Sequence, residues 1–162
     1  MPTAIVWFRK CLRLHDNAAL TWACESSEVD SILPVFIMDE ELGAKGKGGI
    51  GFNRARFLVQ SLRDLDDSLE RELGLRLRIM RGGFLETMEA VISSLDGGVP
   101  YLTYEYCSEP KSLSVSAEIG NWELSGKMDF ESRIFSSSHT LLDIEKTVSS
   151  ENYSNPKSMK DM

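Results

Sequence analysis

Short apolar runs alternate with amphipathic stretches along this chain, and the two periods predict most of its architecture. Residues 4–8 (AIVWF) show no polar alternation, the pattern of a parallel strand buried on both faces. The run passes into a basic loop (Arg9, Lys10, Arg13). Asp16 or Asn17 then caps a helix over about residues 17–24, since either side chain accepts a bond from an unpaired helical N–H. Residues 31–37 (SILPVFI) predict a second strand, with an edge or bulge at Pro34 because proline donates nothing to a ladder. Leu58, Leu62, Leu65, Leu69 and Leu73 lay an apolar stripe along the strongest predicted helix, residues 53–73. Asp67 and Arg71 are spaced to pair on its polar face, and Gly74 is placed to end it.

Residues 75–80 (LRLRIM) alternate and predict a third strand. Gly82 and Gly83 turn into a helix carrying Phe84, Met88, Val91, Ile92 and Leu95, which stops at Asp96-Gly97-Gly98. Residues 101–106 predict a fourth strand, its carboxyl end reaching Cys107, Ser108 and Glu109. A helix over 111–125, a fifth strand over 127–135 with Met128, Phe130 and Ile134 on one face, and a short helix over 141–149 complete the order. Alternation of this kind predicts an α/β fold: a five-stranded parallel, Rossmann-like (doubly wound) sheet with helices on both faces. Residues 1–149 form the predicted domain. Residues 150–162 are polar and aperiodic, and predict a disordered connector. In such sheets a reversal of strand order opens a crevice at the carboxyl ends of the strands, here beside the first strand.

With 162 residues the chain has the length of one domain. Its 18 basic and 25 acidic residues give a net charge of −7, which argues against a free-standing nucleic-acid binder. The sequence shows neither a membrane-length apolar run nor a secretory signal, and its three cysteines (Cys11, Cys24, Cys107) share no metal-like spacing. The expectation is a reduced, intracellular domain.

Catalytic signatures are scarce. His15 and His139 sit on a loop and after the last strand, where surface roles are expected, and no serine lies in a nucleophile elbow. The glycine-rich loop at residues 43–51 lacks the Gly-Lys-Ser/Thr ending of a phosphate loop, and it does not join the first strand to the first helix. A plain connection is the expectation there. The candidates at the strand ends are Arg9 and Arg13 in the first loop, Phe36 and Asp39 at the second strand, Arg54 at the start of the long helix, and Ser108 and Glu109 after the fourth strand. Alternatively, Arg9 and Arg13 pair with acids such as Asp16 or Asp39 and only tie loops together.

Several segments resemble the cryptochrome/DNA photolyase family. WFRKCLRLHDNAAL (residues 7–20) resembles its N-terminal signature, GFNRARFLVQSLRDLDDSL (51–69) its N-R-x-R-F-L-x-x-S-L-x-D-L-D segment, and TYEYCSEP (103–110) its Y-E-x-D-S-E-P motif. SSSHTLLDIEKTV (136–148) resembles the H-T-L-x-D segment that leaves the domain. The pattern is nearer to animal-type cryptochromes and (6-4) photolyases than to the bacterial pyrimidine-dimer enzymes.

The resemblance implies the family's N-terminal antenna domain, which holds a deazaflavin or a methenyltetrahydrofolate beside the flavin. On the matching positions it assigns Phe36, Asp39, Arg54, Cys107, Ser108 and Glu109 to that pocket, with Arg9 and Arg13 on a loop nearby. Cys107 stands where the motif has aspartate. FAD and damaged DNA bind, in the family, to a helical C-terminal domain that is missing here, so the expectation is a truncated protein with no light-driven repair by itself. Nucleus or cytoplasm is the compartment implied. Two other readings are a module that binds a protein partner through an exposed interdomain face and modulates full-length cryptochrome, and a small nucleotide-binding α/β protein.

Overall fold

A computed structural model describes residues 2–38, 51–106 and 110–135, with residues 110–113 in backbone only. The predicted elements at 141–149, the tail at 150–162, His139 and nearly all of the glycine loop lie outside the described residues.

Five strands, β1 (Thr3–Phe8), β2 (Ser31–Met38), β3 (Arg78–Arg81), β4 (Tyr101–Glu105) and β5 (Glu131–Phe135), form one sheet in the order β3-β2-β1-β4-β5. Every neighbouring pair is parallel. The connecting helices are α1 (Ala18–Glu25), α2 (Phe52–Leu73), α3 (Phe84–Ser93) and α4 (Pro110–Leu124). The chain winds outward from β1 to β3, then returns to β4 on the other side of β1. With right-handed crossovers this reversal puts α1 and α2 on one face and α3 and α4 on the other.

The strand period divides the core accordingly. Ala4, Val6 and Phe8 of β1 pack with Leu20 and Ala23 of α1 and with Leu62, Leu65 and Leu69 of α2. Ile5 and Trp7 point the other way, to Met88, Val91 and Ile92 of α3 and Ile119 of α4. Because β1 is covered on both faces, its run could not alternate.

Pro34 pairs with Val6 of β1, while β3 joins β2 only from Val35 onward. The strand is therefore interior overall and an edge locally at Pro34, which is where proline is tolerated. The third strand is shorter than its alternation predicts. Leu77 is buried beneath α2 and its N–H donates to the Asp66 carboxylate at 2.8 Å, so the first half of the LRLRIM run packs against a helix before sheet pairing begins. In the fifth run, Phe130 is buried just ahead of β5, whereas Ile134 on the edge strand is 46% exposed. Arg71 turns to Ser68 and Glu72 rather than making the predicted pair with Asp67. Gly74 ends α2 at φ +68°, a left-handed conformation that glycine adopts without strain.

Asn17, not Asp16, caps α1: its Oδ1 accepts the Leu20 N–H at 3.0 Å, and its Nδ2 donates to the Arg13 carbonyl at 3.2 Å. Asp16 takes φ +50° in the turn just before it, a conformation short polar residues tolerate. Asn17 is buried, so Asn17→Ala strips one bond from the helix and leaves the Arg13 carbonyl short of a donor. The expected loss is about 1–2 kcal/mol, read as a lower midpoint in urea unfolding. An unchanged midpoint would contradict it.

Candidate functional site

The switch in winding direction sets β1 beside β4, and the loops leaving these two strands diverge toward opposite faces. That divergence is the crevice of a doubly wound sheet. The first basic residue beyond β1, Arg9, shares a face with Trp7, two positions earlier. The Arg9 guanidinium lies 4.5 Å from the Trp7 ring centroid and 5.5 Å from that of Tyr104 on β4. Trp7 in turn meets Phe84, the first residue of α3, at 4.2 Å and the Tyr104 ring edge-on at 5.5 Å. A cation is thus seated against aromatic walls, an arrangement worth about 0.5–2 kcal/mol depending on how far it is desolvated. Arg9 Nη1 and both carboxylate oxygens of Glu105 are closed to solvent. Beyond Glu105 the ladder extends one bond further, Tyr106 N–H to Phe135 carbonyl at 2.7 Å.

Arg13 serves the loop itself. Its Nη2 donates to the Asp16 carbonyl at 2.9 Å, which with the Asn17 bonds fixes the path from β1 to α1.

Phe36 lies near the carboxyl end of β2, buried in the core shared with Phe8, Leu62 and Leu65. Arg54 is exposed on the first turn of α2. Gly51 precedes that turn with no side chain capping it, so the helix start presents backbone N–H groups beside the guanidinium. Phe36 and Arg54 belong to the α1–α2 side of the sheet and Arg9 to the α3–α4 side, so the two sets flank the rim from opposite faces. Asp39, Cys107, Ser108 and Glu109 lie outside the described residues.

Sequence reasoning placed Trp7 in the core but missed the column Arg9–Trp7–Tyr104–Phe84. The i, i+2 relation of Trp7 and Arg9 was a readable signal. The approach of Tyr104 and Phe84 was not, because it depends on which strand lies next to β1.

A second cation–aromatic group sits on the α1 face, toward the edge strand β5. Arg133 of β5 lies 4.6 Å from the Trp22 ring and 5.2 Å from that of Tyr101, and pairs with Glu28 at 3.0 Å. It ties the edge strand to α1 and the turn before β2. Among the described residues no group of three potential ligands could hold a metal ion, and no helix is long and apolar enough to cross a membrane. Cys11 and Cys24 form no disulfide.

Both tyrosines of these groups carry phenols pushed above their ordinary value of 10.0. For Tyr104 the main cause is burial, opposed by the contact with Ser116 and the Arg9 charge. For Tyr101 burial comes first, followed by the negative charges of Glu28 and Glu131, with Arg133 opposing. A raised phenol favours the protonated form in the folded state. The folded chain therefore keeps protons that the unfolded chain loses above pH 10, and stability declines as pH rises further. Thermal melts from pH 9 to about 11.5 should fall in wild type and fall less steeply in Tyr104→Phe. Parallel slopes would contradict this.

These features define a doubly wound α/β domain with an arginine–aromatic column where its winding reverses. The chain belongs to the DNA photolyase family, whose sequence profile it matches over residues 4–159. It is 35% identical to the (6-4)DNA photolyase of Arabidopsis thaliana over 85% of this chain and 25% of that protein. Against cryptochrome-1 of Spalax judaei the identity is 37%, over 90% of this chain and 23% of the other. Among solved structures it resembles a bacterial class III photolyase from Agrobacterium tumefaciens, with TM-score 0.68 and 28% identity over 83% of this chain and 26% of that one. A Synechocystis cryptochrome matches with TM-score 0.70 and 25% identity, over 83% and 27%. The chain spans about a quarter of the length of these relatives.

Proposed function

We propose that this chain is an antenna-type domain of the photolyase/cryptochrome family, binding a conjugated light-absorbing ring at the carboxyl rim of its sheet and performing no light-driven repair by itself. The observation that carries the reading is the rim at the β1–β4 switch point: a guanidinium held against Trp7 and Tyr104 at the mouth of the crevice, in a chain of this family. A deazaflavin or a methenyltetrahydrofolate carries carbonyl oxygens and a flat apolar surface. Arg9 and Arg54 offer donors for the first, and Phe84, half-buried against Trp7, offers a surface for the second. The remaining contacts would come from Asp39, Ser108 and Glu109, with Cys107 supplying a thiol where the family motif has a carboxylate. FAD and damaged DNA belong, on this reading, to the part of the relatives that this chain does not span.

The test is spectroscopic. The purified chain, alone and after incubation with each chromophore, should show a near-UV or visible band above the aromatic envelope, and Arg54→Ala should weaken it. No band and no change in chromophore fluorescence with either compound would overturn the antenna assignment. Loss of a pyrimidine lesion under blue light with the chain alone would overturn the second clause.

A further inference from the structure

The outward ridge of α2 is unlike the rest of the surface. Asn53, Arg56, Gln60, Arg63 and Asp67 recur at three- and four-residue spacings, opposite the buried Leu62, Leu65 and Leu69, and all five are exposed. Phe57 and Asp64 flank this seam, and Phe52 begins it. Phe52 is 79% and Phe57 71% exposed, an uncommon position for two phenylalanines on one helix. The charge along the helix is segregated. Residues 52–63 carry arginines at 54, 56 and 63 and no acid, while residues 64–72 carry Asp64, Asp66, Asp67, Glu70 and Glu72 against the single Arg71.

Part of the acidic half is already neutralised. Arg76 takes Asp66 at 2.7 Å and Glu70 at 2.8 Å, and Arg71 takes Glu72 at 3.1 Å. That leaves Arg56, Arg63 and Asp67 on the outward seam, and Asp64 beside it, with no ion-pair partner among the described residues. A helix that is basic and aromatic in one half and acidic in the other is complementary to itself when reversed.

We propose that this ridge pairs antiparallel with the same ridge of a second copy of the chain, about a two-fold axis near the middle of α2. A two-fold contact is isologous, so each complementary pairing occurs twice. Reversal sets Arg56 and Phe57 of one copy over the acidic turns at Asp64 and Asp67 of the other. The three- and four-residue spacing keeps these residues on one ridge, so two antiparallel copies can face each other along its length. The seam from Asn53 to Asp67 is about 21 Å long at 1.5 Å per residue, a small contact, so the dimer is weak and salt-sensitive. The proposed contacts use none of the rim residues, Arg54 adding only to the charge of its half of the helix, and the inference stands or falls apart from chromophore binding.

Sedimentation velocity on the complete 162-residue chain over a concentration series tests it. Wild type should show a concentration-dependent dimer at low salt that weakens as salt rises. Arg56→Glu with Arg63→Glu, and separately Asp64→Arg with Asp67→Arg, should each raise the dissociation constant by at least about tenfold through like-charge opposition. Mixing the two variants in equal amounts should restore association, because each then faces its complement. Circular dichroism serves as the control for folding, since both reversals fall on exposed positions. A wild type that stays monomeric at every concentration overturns the proposal. So does a dimer indifferent to both reversals, or a monomer whose α2 ridge binds only an unrelated acidic peptide.

Discussion

Trp7→Ala is expected to cost about 3–5 kcal/mol, the upper range for a single core truncation. The side chain is buried and sits where three elements converge: Phe84 from α3 at 4.2 Å, Tyr104 from β4 at 5.5 Å, and the Arg9 guanidinium at 4.5 Å. Truncation therefore removes the apolar burial, leaves a void that three neighbours fill incompletely, and strips Arg9 of its nearest wall. A domain has only about 5–15 kcal/mol of net stability, so the variant should melt far below wild type or fail to accumulate folded. Trp7→Phe keeps a ring at the site and should recover a large part of the loss. If urea unfolding places Trp7→Ala within 1 kcal/mol or so of wild type, the aromatic column is not the packing centre of its face.

Leu69→Ala should lose about 2–5 kcal/mol, while Leu73→Ala, one turn further along the same stripe, should stay within about 0.5 kcal/mol of wild type. The two are alike in type and lie on the same apolar stripe. Leu69 is fully buried beneath the sheet face made by Ala4, Val6 and Phe8, whereas Leu73, the last residue of α2, is 41% exposed. Alanine is also the better helix former, which offsets part of whatever Leu73 still buries. Paired chemical denaturation curves read the contrast, and equal losses at the two positions would show that α2 stays packed to its end.

The contrast between these leucines marks where the sequence stops being legible. A stripe of leucines reports which side of a helix is apolar, because that depends only on the 3.6-residue period. How much of that side is covered is a tertiary matter, and at Leu73 the cover is incomplete. The third and fifth runs show the same limit: Leu77 and Phe130 are buried before their strands begin, and Ile134 is left open on the edge strand β5. At the rim, Arg9, Arg13, Phe36 and Arg54 were all picked out from the chain. Yet Arg13 holds its own loop, Phe36 is packed in the core, and Arg9 rests not only on Trp7 but on Tyr104, a ring that no local pattern linked to it.

By itself, then, the sequence determined the order and type of the elements, the parallel winding, the Gly74 stop, the capping of α1 to within one residue, and the family, because each depends on residues close in the chain. Only the tertiary structure decided which hydrophobic residues go unused, where pairing begins, and which side chains meet at the switch point. Those outcomes depend on strands brought side by side from nearly a hundred residues apart, as Ile5 and Thr103 are, and no local period records that distance.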